Sequence, residues 1–166
     1  YLYTRVGNPN TDELGHGVAQ LEGAPAGAAA SSGLSAILAG ILSVVKNGDH
    51  IVACEDMYGG TYQLSAGERS TLGIEVTFVP FADAEQIRSA VRPNTKLLYS
   101  ESMTNPFLRV ERMEQMVAVA REKGLMTMID NTFATPYLLR PYLQGIDIVV
   151  HSATKYIGGH SDVTAG

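Results

Sequence analysis

With 166 residues, 45% of them hydrophobic, the chain is long enough to bury one sizeable core and form a single domain. Twelve basic and seventeen acidic residues give a net charge of −5, and without a basic run a nucleic-acid partner is not expected. No apolar run approaches the roughly 18 residues of a membrane span, no signal peptide is recognised, and the single cysteine, Cys54, cannot form an internal disulfide, so we expect a cytoplasmic protein without membrane association.

Strand and helix signals alternate along the chain. In chain order the predicted elements are helix 11–22, strand 27–30, helix 33–46, strand 50–54, helix 59–72, strand 74–79, helix 83–91, strand 96–101, helix 111–124, strand 126–130 and strand 146–150. The strand candidates are continuous apolar runs, which is typical of strands buried on both faces, and the intervening helices indicate crossover connections. The sequence therefore predicts an α/β fold with a mainly parallel sheet.

Glycines support one of the predicted helices and weaken the prediction of another. Gly124 lies where a helix C-cap is expected after helix 111–124. Gly15 and Gly17 fall inside the first helix, where each costs roughly 1 kcal/mol relative to alanine. The first helix is therefore the weaker prediction of the two.

A candidate anion site opens the second helix. Ser31-Ser32-Gly33-Leu34 follows the first predicted strand, and ligands of open parallel sheets bind beyond the carboxyl ends of strands. Free backbone N–H groups and the helix dipole attract an anion there, and glycine admits a close approach. Taken alone, the motif is more often an ordinary serine N-cap.

Three further polar residues follow predicted strands. Asp130 could pair with a protonated ring nitrogen, and Tyr58 could stack on a flat heterocycle. Asn105, before a proline, lies at the end of another strand. In isolation each has an ordinary alternative: a capping aspartate, a turn tyrosine and a turn asparagine.

A lysine follows the last apolar run. Lys155 comes shortly after strand 146–150, with Ser152 and Thr154 beside it. A lysine just past a buried strand is costly to desolvate and is readily pushed towards the neutral, nucleophilic amine. The neighbouring hydroxyl groups are of the kind that hold a phosphate. This combination suits Schiff-base formation with a phosphorylated aldehyde.

Together these motifs resemble the Cys/Met-metabolism family of pyridoxal 5'-phosphate (PLP) enzymes, which includes the cystathionine synthases and lyases and methionine γ-lyase. The resemblance runs from Tyr3-Thr-Arg5 to His160-Ser-Asp162. It implies a three-layer α/β/α fold, the large PLP-binding domain of a fold-type I, aspartate aminotransferase-like enzyme. Since the chain begins with Tyr1 rather than methionine, we expect residues 1–166 to be part of that domain, with the C-terminal small domain absent from this chain.

The resemblance also implies catalytic roles. Lys155 would form the Schiff base and later shuttle protons, and Asp130 would hold the pyridinium nitrogen. Tyr58 would stack on the ring, with a second role in proton transfer at the leaving group. Asn105 would contact the ring hydroxyl oxygen.

Phosphate binding is implied for two groups of residues. One is formed by Ser32, Gly33, Leu34, Ser152 and Thr154. The other, Tyr3 and Arg5, would reach the phosphate of the neighbouring subunit, so that a homodimer shares its active sites, usually within a tetramer. No metal site is expected, because the spacing of His151 and His160 suits metal ligands poorly.

The expected function is that of a PLP-dependent carbon–sulfur lyase of trans-sulfuration, acting on cystathionine or a related small sulfur amino acid. Gly60 replaces the cysteine usual in methionine γ-lyases, which favours cystathionine-type chemistry. Three alternatives remain open: cystathionine γ-synthase, O-acyl-homoserine sulfhydrylase, and a non-catalytic fragment that retains the PLP-binding fold.

Overall fold

A computed structural model describes residues 1–65, 72–80 and 83–166. Its helices are α1 (Pro9–Glu22), α2 (Gly33–Val44), α3 (Gly59–Gln63), α4 (Ala84–Ala90), α5 (Met113–Lys123) and α6 (Thr135–Leu138), with a 3₁₀ helix at Pro141–Gln144. Its strands are β1 (His50–Cys54), β2 (Glu75–Val79), β3 (Thr95–Glu101), β4 (Met126–Asp130) and β5 (Ile148–Val150). The predicted helix 59–72 extends in part over residues 66–71, which lie outside the described residues.

The five strands form one sheet in the order β2-β1-β3-β4-β5, and every neighbouring pair is parallel. Helices cover both faces because alternate strand residues point to opposite sides. On one face Val52, Leu98 and Ile129 pack against α4 and α5, while on the other Ile51 and its neighbours pack against α2. This arrangement confirms the predicted three-layer α/β/α fold.

The predicted strand at 27–30 is wrong for the described structure, which has no strand there. A strand needs a neighbouring strand along its length. Among the described residues, this segment has only two backbone hydrogen bonds to distant residues, both between Ala30 and Gly166 (2.6 and 3.0 Å). The alanine-rich segment is instead extended and packs against α1.

Helix α1 runs through Gly15 and Gly17 without interruption. A Cβ atom added to Gly15 would lie 2.8 Å from the carbonyl oxygen of Gly27, so the helix and the segment 27–28 touch backbone to backbone. The close approach explains a glycine at position 15 despite its cost in helix propensity. Gly124 closes α5 in the left-handed conformation, as predicted. None of the described helices is both long and apolar enough to cross a membrane.

Candidate functional site

A cleft of about 520 Å³ opens at the carboxyl end of the sheet. The structure brings most of the predicted site residues together there: Ser32, Gly33, Leu34, Tyr58, Asn105, Asp130, Ser152, Thr154 and Lys155. Tyr3 and Arg5 do not line the cleft. They lie in the exposed N-terminal segment, where the Arg5 guanidinium is 5.2 Å from the centre of the Tyr3 ring.

The N-terminus of α2 forms one wall. Ser32 is its N-cap: the Ser32 hydroxyl accepts the Ser35 N–H (3.2 Å), and the Ser35 hydroxyl accepts the Ser32 N–H (2.8 Å). The ordinary capping role is therefore present beside the predicted ligand role. A Cβ atom on Gly33 would lie 2.6 Å from Cβ of Ser152, so only glycine lets this helix meet the segment after β5.

Thr132 joins the ends of β4 and β5 at the floor of the cleft. Its hydroxyl donates to Oδ1 of Asp130 (2.5 Å) and accepts the Ser152 N–H (2.7 Å). Its N–H donates to the same Oδ1 (2.9 Å). Among the described residues no hydrogen bond reaches Oδ2 of Asp130, which leaves that oxygen for a ligand. Burial raises the pKa of Asp130, and the Thr132 hydrogen bonds and the charge of His151 oppose this rise.

Glu101 also lies at the floor, and the sequence reasoning missed it as a site residue. Its side chain is buried, and Oε1 accepts the Tyr58 N–H at 2.7 Å. Burial and the nearby charge of Asp130 raise the pKa of Glu101 to about 8, while hydrogen bonds from the backbone of Tyr58 and Asn105 oppose the rise. A carboxylate ending an apolar strand is the same signal that pointed to Asp130, and it could have identified Glu101.

The ring of Tyr58 lines the cleft close to Leu34 of α2. The residue precedes α3 and is 50% exposed. A Cβ atom on Gly60 would lie 2.6 Å from Cε1 of Tyr58 and 3.3 Å from Cδ1 of Leu34, so the ring covers Gly60. Met103, Thr132 and other lining residues were likewise not predicted, since nothing in their local sequence distinguishes them from core or turn residues.

Lys155 lines the cleft and is exposed in this chain, so its desolvation stays a prediction. Four residues separate it from the end of β5, and their turn carries it to the rim. Thr154 uses its hydroxyl locally, donating to the Ala165 carbonyl (3.1 Å) and accepting the Ala165 N–H (3.0 Å).

His151 lies behind the cleft rather than in it. Its Nε2 is 2.8 Å from Oε1 of Glu22, which also accepts a hydrogen bond from the Asn131 side chain (2.9 Å). All three side chains are buried, so the cluster fastens α1 to the ends of β4 and β5. Within the described residues, no group of three or more His, Cys, Asp or Glu side chains is arranged to hold a metal ion.

A family model described as Cys/Met metabolism PLP-dependent enzyme matches residues 1–166. The chain belongs to this family. It is 46% identical over 166 residues to cystathionine γ-lyase of Bacillus subtilis, covering 100% of this chain and 44% of that protein. It is 47% identical over 167 residues to L-methionine γ-lyase of Porphyromonas gingivalis, covering 100% of this chain and 42% of that protein. The chain thus spans less than half the length of these relatives.

Among solved structures, the metY protein of Campylobacter jejuni superposes with a TM-score of 0.95 at 31% identity, over 98% of this chain and 40% of that one. That crystal structure contains N'-pyridoxyl-lysine-5'-monophosphate, a lysine joined to the cofactor. The fold expected from the resemblance is therefore confirmed, and the family's cofactor is PLP.

Proposed function

We propose that the protein is a PLP-dependent carbon–sulfur lyase that acts on cystathionine or a related sulfur amino acid by β- or γ-elimination. The observation that carries this proposal is the convergence of Lys155, Asp130 and Tyr58 on one cleft beside the N-terminus of α2. The three residues come from three separate parts of the chain, and the fold alone brings them together. The volume of the cleft, about 520 Å³, lies in the range typical of cofactor and ligand sites.

The residues present fit the cofactor. Asp130 offers Oδ2 to a ring nitrogen, because Thr132 already occupies Oδ1. Tyr58 presents a half-exposed ring suited to stacking on a flat heterocycle, and Asn105 lines the same cleft, where it would contact the ring hydroxyl oxygen.

An anion fits the end of the cleft at the N-terminus of α2. The first N–H groups of α2, at Gly33 and Leu34, have no partner within the helix and carry its positive dipole end. The Ser32 and Ser152 hydroxyls border the same space, and Thr154, whose hydroxyl already bonds Ala165, shapes the pocket. We assign the cofactor phosphate to this end.

PLP, when bound, withdraws electrons from the substrate's α-carbon, which makes elimination possible. The Lys155 amine would bond the cofactor aldehyde and, once displaced by the substrate amine, would take the α-proton. Asp130 would keep the ring nitrogen protonated, and Tyr58 would support the ring and the proton transfer to the leaving group. The net reaction breaks a carbon–sulfur bond.

The proposal extends to assembly and location. Tyr3 and Arg5 are exposed and lie away from the cleft of their own chain, so we assign them to the phosphate site of a neighbouring subunit in a homodimer, itself part of a tetramer. An arginine fork suits a phosphate. A single cysteine suits the reducing cytoplasm, where we place the protein.

Absorbance spectra and a substrate panel test the proposed function. The intact protein should carry a visible PLP band and release a 2-oxo acid from cystathionine, and Lys155→Ala should lose both the band and the turnover. Persistence of both in the variant would disprove the assignment of Lys155.

Two alternatives are outcomes of the same panel. Cystathionine formed from O-acetylhomoserine and cysteine, with release of acetate, would identify a γ-synthase, and homocysteine formed from O-acetylhomoserine and sulfide would identify a sulfhydrylase. A PLP band without turnover on cystathionine, methionine or O-acetylhomoserine would identify a non-catalytic PLP-binding protein. The panel is needed because a cystathionine γ-lyase and a methionine γ-lyase are almost equally identical to this chain, at 46% and 47%.

A further inference from the structure

We propose that Glu101 is a positioning residue of the site: its carboxyl group fixes the backbone of Tyr58 at the cleft. The inference rests on the proposed function, under which Tyr58 contacts the cofactor.

A buried carboxyl group ties the loop between β1 and α3 to the end of β3, where the loop that carries Asn105 begins. Oε1 of Glu101, the last residue of β3, accepts the Tyr58 N–H at 2.7 Å. Glu101 is 4% exposed, so water cannot readily take the place of its carboxyl group.

Tyr58 depends on this bond for its placement. Its ring is half exposed, it stands at the N-cap position of α3 without a side-chain cap, and two glycines follow it. A second tether between the same loops, the 2.7 Å ion pair of Arg109 and Asp56, has an arginine side chain that is 66% exposed. Because exposed ion pairs contribute little, the buried tether is the one that holds the loop.

Glu101 also lies beside the residue proposed to face the ring nitrogen. Glu101 and Asp130 are partners in the register of β3 and β4, and both line the cleft. Glu101 thus lies between the loop that carries Tyr58 and the strand that ends in Asp130.

The test measures the PLP dissociation constant of the intact protein in a double-mutant cycle with Glu101→Ala and Tyr58→Ala. Glu101→Ala leaves the Tyr58 N–H without its acceptor, and we expect about tenfold weaker PLP binding. In the Tyr58→Ala background the same change should weaken binding less than about threefold, because much of its effect passes through Tyr58. A residue that only stabilises the fold would lower the affinity equally in both backgrounds.

Glu111 provides a matched control. It too is a glutamate with a raised pKa, at about 7, and it bonds Ser100 beside the same strand, but it does not line the cleft. Glu111→Ala should leave the PLP dissociation constant unchanged. In the PLP-free protein, amide hydrogen exchange of residues 55–62 should quicken in Glu101→Ala and not in Glu111→Ala.

The outcomes separate this inference from the proposed function. If the wild-type protein binds no PLP, both are overturned. If it binds PLP but Glu101→Ala has an equal effect in the two backgrounds, or no effect beyond that of Glu111→Ala, only the role of Glu101 is overturned. Should Glu101→Ala not fold, Glu101→Leu takes its place in the same cycle with the same expected results, since leucine fills a similar volume without an acceptor for the Tyr58 N–H.

Discussion

At the floor of the cleft, Glu101 and Asp130 end neighbouring strands and accept hydrogen bonds from Tyr58 and Thr132. At the rim, the Tyr58 ring is half exposed and Lys155 is exposed. The floor is therefore fixed by the same packing that stabilises the fold, whereas the rim residues carry chemistry with few contacts of their own. Changes at the floor should alter stability and cofactor affinity together, whereas changes at the rim should leave stability unchanged.

The sharpest test of this difference is Lys155→Ala. The proposed nucleophile and base is lost, so activity should fall at least about a thousandfold. The free energy of unfolding of the PLP-free protein should change by no more than about 0.5 kcal/mol, the range expected for an exposed residue. Urea unfolding of the variant and the wild type measures this difference. A large loss of stability would show that Lys155 is part of the packed structure and would remove the distinction between rim and floor.

The second test is the pH dependence of stability of the PLP-free protein. Folding raises the pKa of Glu101 from 4.5 to about 8. Between these values Glu101 keeps a proton in the folded protein that it has released in the unfolded chain. Its contribution should therefore lower the free energy of unfolding as pH rises, by at most about 1.4 kcal/mol per pH unit. Glu101→Gln should flatten this decrease, as measured by urea unfolding at several pH values.

Glu111 refines the pH test. Folding raises its pKa from 4.5 to about 7, so its contribution ends about one pH unit below that of Glu101. Glu111→Gln should flatten the curve only below about pH 7, whereas Glu101→Gln should flatten it up to about pH 8. Identical curves for the two variants would contradict the assignment of the higher pKa to Glu101.

The floor and the rim also differ in how well the sequence predicts them. Apolar runs with intervening helices predicted the sheet, and polar residues after strands pointed to Asp130 and Tyr58. The strand at 27–30 was wrong, because a run of alanines does not show whether a partner strand lies beside it. The exposure of Lys155 was not predicted, because distance along the chain from a strand does not determine the path of the following turn. Thr132 was missed because its role depends on a contact between the ends of two strands, whereas Glu101 ends an apolar strand as Asp130 does and could have been identified.

The third test moves to the contact between the α2 wall and the floor. In Gly33→Ala the new Cβ would lie 2.6 Å from Cβ of Ser152, so the helix and the segment after β5 must separate. Overpacking of this kind should cost about 1–3 kcal/mol and should weaken PLP binding about tenfold. Gly17→Ala in α1 is the control, because a Cβ atom there would meet nothing within 4 Å. This variant should stabilise the protein by up to about 1 kcal/mol through its higher helix propensity.

The smallest expected effect concerns the Tyr58 ring. Gly59 and Gly60 are adjacent in α3, but a Cβ on Gly59 meets nothing within 4 Å, whereas one on Gly60 would lie 2.6 Å from Cε1 of Tyr58. Both alanine variants gain helix propensity, so neither should lose stability. Only Gly60→Ala displaces the ring, and kcat should fall about three- to tenfold because a misplaced stacking group costs transition-state alignment.

Steady-state kinetics with the two alanine variants measure this contrast. Equal kcat values would show that the ring tolerates displacement and that the rim residues need little positioning beyond the backbone. A fall in kcat confined to Gly60→Ala would instead show that even a half-exposed side chain at the rim is held in place. In that case Glu101 fixes the Tyr58 backbone from below and Gly60 leaves the space its ring requires, so the rim takes its geometry from the floor.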